Sequence, residues 1–156
     1  MNGKDDISLK VQVLMENTAC REGICAEHGL SLYLETGRHR LLFDTGQSGR
    51  FADNTREMGV ALAEAELAIL SHGHYDHGGG LSAFLTENDH APVYVSRHAF
   101  EKHGNAAGKE IGLAPELASD PRLFTRMPTI RSTTGWSSPP ATSGNAASPS
   151  IRPASQ

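Results

Sequence analysis

Residues 71–80 read SHGHYDHGGG, so His72, His74, Asp76 and His77 fall within one short stretch. Imidazole nitrogens and carboxylate oxygens are ordinary zinc ligands. In an extended segment, residues two apart project to the same side, so His72 and His74 can share one ion. Asp76 and His77 follow once the chain has begun to turn and can face a second ion. Hydrolytic two-metal sites hold their ions about 3.5–4 Å apart. Gly78, Gly79 and Gly80 then permit close backbone approach and a tight turn into a helix. The bland alternative is an exposed histidine-rich turn with no ligand role. It suits a lone histidine better than this cluster, since four such matched positions arise by chance on the order of once in 10⁵ places.

The elements that must carry these residues are legible on both sides. ELAILS, just before the cluster, is a short apolar run that fits a strand buried on both faces, and the end of such a strand can project side chains into a crevice. Upstream, SLKVQVLM alternates, with Leu9, Val11 and Val13 on one side of a half-buried strand. GLSLYLET repeats the pattern through Leu30, Leu32 and Leu34. Gly37 can turn the chain into a third strand at HRLLFD. A helix capped by Ser48 should carry Phe51, Thr55 and Met58 on one face and end at Gly59. After the glycines, Leu81, Phe84 and Leu85 form one stripe of a second helix. APVYVS reads as a strand, and RHAFEKHG as a short helix capped by Ser96 and closed by Gly104. This order fits an α+β fold in which helices cover a sheet.

The chain has 156 residues and a formal net charge of −4, enough for one modest domain. Its mild acidity and the lack of a Lys/Arg-rich run argue against nucleic acid as a partner. The start, MNGKDDISLK, carries no apolar stretch, and no run is long enough to span a membrane, so a cytoplasmic protein acting on a small molecule is expected. Cys20 and Cys25 have a spacing that suits neither a redox nor a zinc-knuckle motif, and both read as free thiols in a loop. Beyond Arg126 the composition shifts to Ser, Thr, Pro and Ala with no acidic residue. Two readings fit residues 127–156: a disordered tail, or sequence read out of frame.

The motif His72-Gly73-His74-Tyr75-Asp76-His77 resembles the H-x-H-x-D-H signature of the metallo-β-lactamase superfamily. LLFDTG at 41–46 resembles its strand-ending D-T-G element. The wording of EHGLSLYLE, LLFDTGQSGRFADN and LSHGHYDHGGGL is most similar to the dihydropterin-methyl-ribofuranosylaminobenzene-phosphate synthase-like branch. The resemblance covers about residues 7–126.

It implies a metal-dependent hydrolase-like protein with one or two ions, zinc first, manganese or iron as alternatives. A water on the metal would be activated as hydroxide. His72, His74, Asp76 and His77 would be the ligands. Asp76 would also orient the water, and Asp44 would support the ligands from beneath by hydrogen bonding. The implied fold is the N-terminal half of an αββα sandwich. In the family the second half supplies three further ligands, and no counterpart is found here. His90 and His103 read as solvent-facing; His98 could lie nearer the metals, and His39 reads as surface. His28, in the loop that would overhang the metals, is a candidate pocket residue. These departures predict that this chain is impaired and not an efficient enzyme. They also predict an exposed sheet face around Leu30, Leu32, Leu34 and residues 67–70, and self-association through it. A non-catalytic metal-binding fragment and a di-iron redox relative are the alternative readings.

Overall fold

The computed structural model describes residues 8–125. Six strands form one sheet in the order β1 to β6: β1 (Leu9–Met15), β2 (Ser31–Thr36), β3 (Arg40–Phe43), β4 (Leu67–Ile69), β5 (Val93–Tyr94) and β6 (Leu123–Phe124). The helices are α1 (Arg50–Met58), the single turn α2 (Tyr75–Gly78) and α3 (Leu81–Glu87). The reading of residues 127–156 as a tail lies outside the described residues.

β1–β2 and β2–β3 pair antiparallel, and β3 through β6 pair in parallel. β1, β3, β4, β5 and β6 therefore run in the same direction, and the loops that leave β1, β3, β4 and β5 emerge at one edge of the sheet. That edge is where an open sheet of this kind presents a crevice.

Register sorts the side chains into two faces. Gln12, Tyr33, Leu42, Ala68, Val93 and Leu123 lie in one row across all six strands. Helices cover this face: Phe51 of α1 and Leu81 and Phe84 of α3 are fully buried with Leu14, Leu42 and Val93. Each such side chain contributes about 1.5–3 kcal/mol by leaving water. The opposite row is Val13, Leu32, Phe43, Ile69, Tyr94 and Phe124. The alternation predicted for β1 and β2 is present, but the apolar set it marks lies on the second face. Leu9, Val11 and Val13 are 59%, 48% and 46% exposed, while Ser31 and Tyr33 take the covered side of β2. Periodicity names a face; only the placement of the helices decides which face is covered.

α1 starts one residue later than a Ser48 cap implies. Ser48 Oγ accepts the Arg50 N–H at 3.2 Å, and its hydroxyl turns to Glu27. Gly59 closes the helix, as expected. RHAFEKHG does not form a helix. Ser96 Oγ accepts the His98 N–H as a cap would, but the backbone makes only tight three-residue turns, Ala99 to Ser96 and Glu101 to His98. The His103 carbonyl is then taken by the Ile111 N–H at 2.7 Å, so tertiary pairing replaces the helical bond. β6 has no alternating pattern in sequence; it is held by parallel bonds from Val93 and Val95 to the Arg122 and Phe124 carbonyls.

Candidate metal centre

Asp44 follows β3 directly. It adopts a left-handed conformation, φ 57°, the one such residue among the described non-glycine positions, and aspartate is among the residues that tolerate this region. Its N–H still extends the sheet by bonding to the Ile69 carbonyl at 2.9 Å. The turn buries the carboxylate beneath the segment that leaves β4, with 0% of the side chain exposed.

Every partner of that carboxylate belongs to the histidine cluster. Oδ1 accepts the Ser71 N–H at 2.7 Å. Oδ2 accepts the Ser71 hydroxyl at 2.7 Å and His77 Nδ1–H at 2.7 Å. Because the Ser71 proton is committed to Asp44, Ser71 Oγ must accept from His72 Nδ1 at 2.9 Å. A carboxylate can only accept, so both tautomers are fixed. His72 and His77 each carry a proton on Nδ1 and a bare lone pair on Nε2. Metal-ligating histidines commonly have their second nitrogen anchored in this way.

The ligand atoms of His72, Asp76 and His77 lie within 4.8 Å of one another. His77 Nε2 is 3.6 Å from Asp76 Oδ2. The His72 ring centre lies 4.3 Å from that of His77 and 4.6 Å from that of His74. Burial, then the neighbouring His77 and His74 rings, lower the His72 pKa below its ordinary 6.5. The neutral ring is the form that can bind a metal. The donor set thus fits a borderline-soft divalent cation: two imidazoles with oriented lone pairs and a carboxylate converge on one small volume.

His28 stands at the same mouth. Its Nε2 lies 3.3 Å from Asp76 Oδ2, and its Nδ1 lies 3.3 Å from Asn17 Oδ1. Both residues come from the loop after β1. His39 and His90 are remote from the cluster, paired with Glu66 and Asp89. His98 is spent locally: Nε2 accepts from Arg97 Nε at 2.8 Å and Nδ1 faces Glu101 at 2.5 Å. His103 differs from its sequence expectation. It is half-buried, with its ring centre 5.3 Å from that of His74. Ser71 was also missed, although its place between the strand and the first histidine was the signal. Cys20 and Cys25 are free thiols; Cys25 Sγ is within 3.1 Å of Asn54 Oδ1, away from the cluster.

The loops meet closely around the motif. A Cβ at Gly80 would lie 2.2 Å from the Thr45 carbonyl oxygen, so the glycine run does allow the approach predicted for it. Gly46 and Gly78 form a parallel bridge that ties the DTG turn to the motif.

The family model of the metallo-beta-lactamase superfamily matches residues 26–142, more than half of the chain. The chain belongs to this superfamily. Among its relatives, an uncharacterized protein of Methanocaldococcus jannaschii, MJ0448, is 33% identical over 110 residues, covering 69% of this chain and 41% of its own length. The 7,8-dihydropterin-6-methyl-4-(beta-D-ribofuranosyl)-aminobenzene-5'-phosphate synthase of the same organism is 30% identical over 106 residues, covering 64% of this chain and 36% of its own. The crystal structure of Tm1679, a metal-dependent hydrolase of the beta-lactamase superfamily, is similar with a TM-score of 0.59 at 25% identity, covering 78% of this chain and 43% of that one. The chain thus spans about two fifths of the length of the curated relatives it matches. The fold is the αβ half of the superfamily's architecture that carries the H-x-H-x-D-H segment. Among the described residues, no helix is long and apolar enough to cross a membrane.

Proposed function

We propose that the cluster is the metal centre of a hydrolase-type site, with zinc as the first candidate ion and manganese or iron as alternatives. His72, His74, Asp76 and His77 would hold one or two ions. The observation that carries this reading is the buried Asp44 carboxylate, which fixes His72 and His77 with their Nε2 lone pairs free beside Asp76. A bound divalent ion supplies Lewis acidity and lowers the pKa of water at the site toward about 7. The remaining work falls to the chain. Asp44 and Ser71 orient the imidazoles, and Asp76, at the mouth between His77 and His28, can accept a proton from a reacting group. Phosphate esters, carboxylic esters and lactones are the substrate classes that suit such a site. The synthase relative adds a phosphorylated pterin-type precursor.

The test is metal analysis of the purified chain with an esterase and phosphodiesterase panel on zinc- and manganese-loaded samples. Bound metal with turnover, both lost in His72→Ala, supports the reading. Metal that binds through the motif without turnover on any substrate assigns the chain to metal binding alone. Iron with no zinc or manganese, together with oxygen consumption, replaces hydrolysis with redox chemistry.

A further inference from the structure

We propose that His103 is a metal ligand that shares an ion with His74; the inference rests on the reading of the motif as a metal centre. The two histidines arrive from different strands. His74 follows β4, and His103 closes the loop that follows β5. Backbone bonds bind the two segments together: Tyr75 N–H to the Ile111 carbonyl at 2.9 Å, Ile111 N–H to the His103 carbonyl at 2.7 Å, and an antiparallel bridge between His74 and Gly112. Glu110 clamps the loop from within. Its Oε1 accepts the N–H groups of His103 and Gly112, both at 2.9 Å, and these bonds lower its pKa. His103 is therefore carried on a fixed piece of backbone.

The chemistry of the ring follows from its partner. His103 Nε2 lies 3.1 Å from the His98 carbonyl oxygen. A carbonyl only accepts, so Nε2 bears the proton and the neutral ring has a bare lone pair on Nδ1. This backbone anchor is a common outer contact of a ligating histidine. Across from it, no hydrogen bond among the described residues reaches the ring nitrogens of His74. The ring centres are 5.3 Å apart, with planes at 76°. Two imidazoles bound to one tetrahedral zinc through nitrogens about 2.0–2.1 Å from the ion have ring centres about 5 Å apart. His98, the nearer candidate by sequence, has both nitrogens occupied and contributes its carbonyl instead. His74 and His103 would then share one ion, beside the position on which His72, Asp76 and His77 converge.

The experiment uses the full chain and two independent readouts. Zinc affinity is measured by competition with a chromophoric chelator for the unaltered chain, His103→Ala, His90→Ala and His72→Ala, and visible absorption is recorded for the cobalt-loaded forms. His103→Ala is expected to weaken zinc by about tenfold or more and to change the cobalt spectrum, with His90→Ala unchanged. If His72→Ala loses binding while His103→Ala keeps the unaltered affinity and spectrum, His103 is not a ligand and the motif reading stands. If His72→Ala also binds normally, the motif reading itself fails. The second readout needs no variant. Diethyl pyrocarbonate modification is mapped by mass spectrometry with and without zinc. Protection of His103 by zinc, with exposed His90 reacting in both samples, supports the proposal. Equal modification of His103 in both samples overturns it, including where His103→Ala misfolds.

Discussion

At the scale of single residues, the centre depends on one buried carboxylate and one hydroxyl. Asp44 accepts three hydrogen bonds, and Ser71 passes its influence to His72. Ser71→Ala leaves His72 Nδ1 without its acceptor and removes one of the two donors to the buried Asp44 Oδ2, which keeps His77 Nδ1–H. The expected outcome is a zinc affinity about tenfold weaker with a stability loss of about 0.5–1.5 kcal/mol. Asp44→Asn is more severe. An amide nitrogen would face donors from Ser71 or His77, so both metal affinity and stability should fall, the latter by about 1–3 kcal/mol. Chelator competition and urea unfolding on the same samples check both. The motif histidines and Asp44 were legible in sequence because their types and spacing are themselves the signal. Ser71 and His103 were not, because a hydroxyl's commitment and a ring's neighbour depend on contacts across 27 and more positions of chain.

At the scale of elements, the loops hold their shape through a few polar anchors and tight glycine contacts. Arg122, just before β6, makes a two-point ion pair with Asp120 at 3.0 and 2.8 Å and donates to the Leu85 and Asn88 carbonyls at the end of α3. The Arg122 side chain is first among the causes that lower the Asp120 pKa. A carboxylate whose pKa is depressed by folding stabilises the native state above its unfolded value, and this contribution disappears as pH falls through the folded value. Asp120→Asn should therefore lower stability at neutral pH, by about 1–3 kcal/mol. The difference from the unaltered chain should narrow steadily below about pH 3.9, the ordinary aspartate value. Urea unfolding across that range checks the sign. Gly73→Ala tests the other device. The added Cβ would lie 2.1 Å from the Ala99 carbonyl oxygen, and the loop that carries His103 must move. A loss of about 1–3 kcal/mol is expected, accompanied by weaker zinc binding. Unchanged stability and affinity would show that the loop does not depend on this contact.

At the scale of the whole molecule, the sheet has one covered face and one open one. The exposed apolar residues of the second face are Leu9, Val11 and Val13 on β1 and Phe124 on β6; contrary to the sequence expectation, Leu67, Ala68 and Leu70 are buried, as is Tyr94. The exposed apolar row on edge strand β1 favours association with a second copy. Val11→Thr with Val13→Thr keeps β-branched residues on β1 while shrinking that surface. Folding stability should change by no more than about 0.5 kcal/mol per site, and the mass measured by light scattering at high concentration should fall toward that of one chain. The same mass for both proteins would show that this face is not the contact. On the covered side, two buried asparagines join elements that sequence periodicity treats separately. Asn54 donates to the Leu14 and Cys25 carbonyls, and Asn88 to those of Leu62 and Ala65. Neither was visible as a core residue, because a buried amide is stable only where tertiary structure supplies partners.

The sequence by itself determined β1 to β5, the two main helices and the identity of the motif, because these depend on local pattern: alternation for β1 and β2, the turn at Gly37 before β3, the apolar run for β4, the stripes of α1 and α3, and the H-x-H-x-D-H order itself. Tertiary structure alone decided which sheet face the helices cover, that RHAFEKHG turns back on the motif instead of forming a helix, and that Leu123–Phe124 completes the sheet. It also decided which nitrogens carry protons. Those outcomes follow from bonds between segments far apart in the chain, such as His77 to Asp44 and Ile111 to Tyr75. No local pattern encodes a partner that arrives only when the sheet has formed.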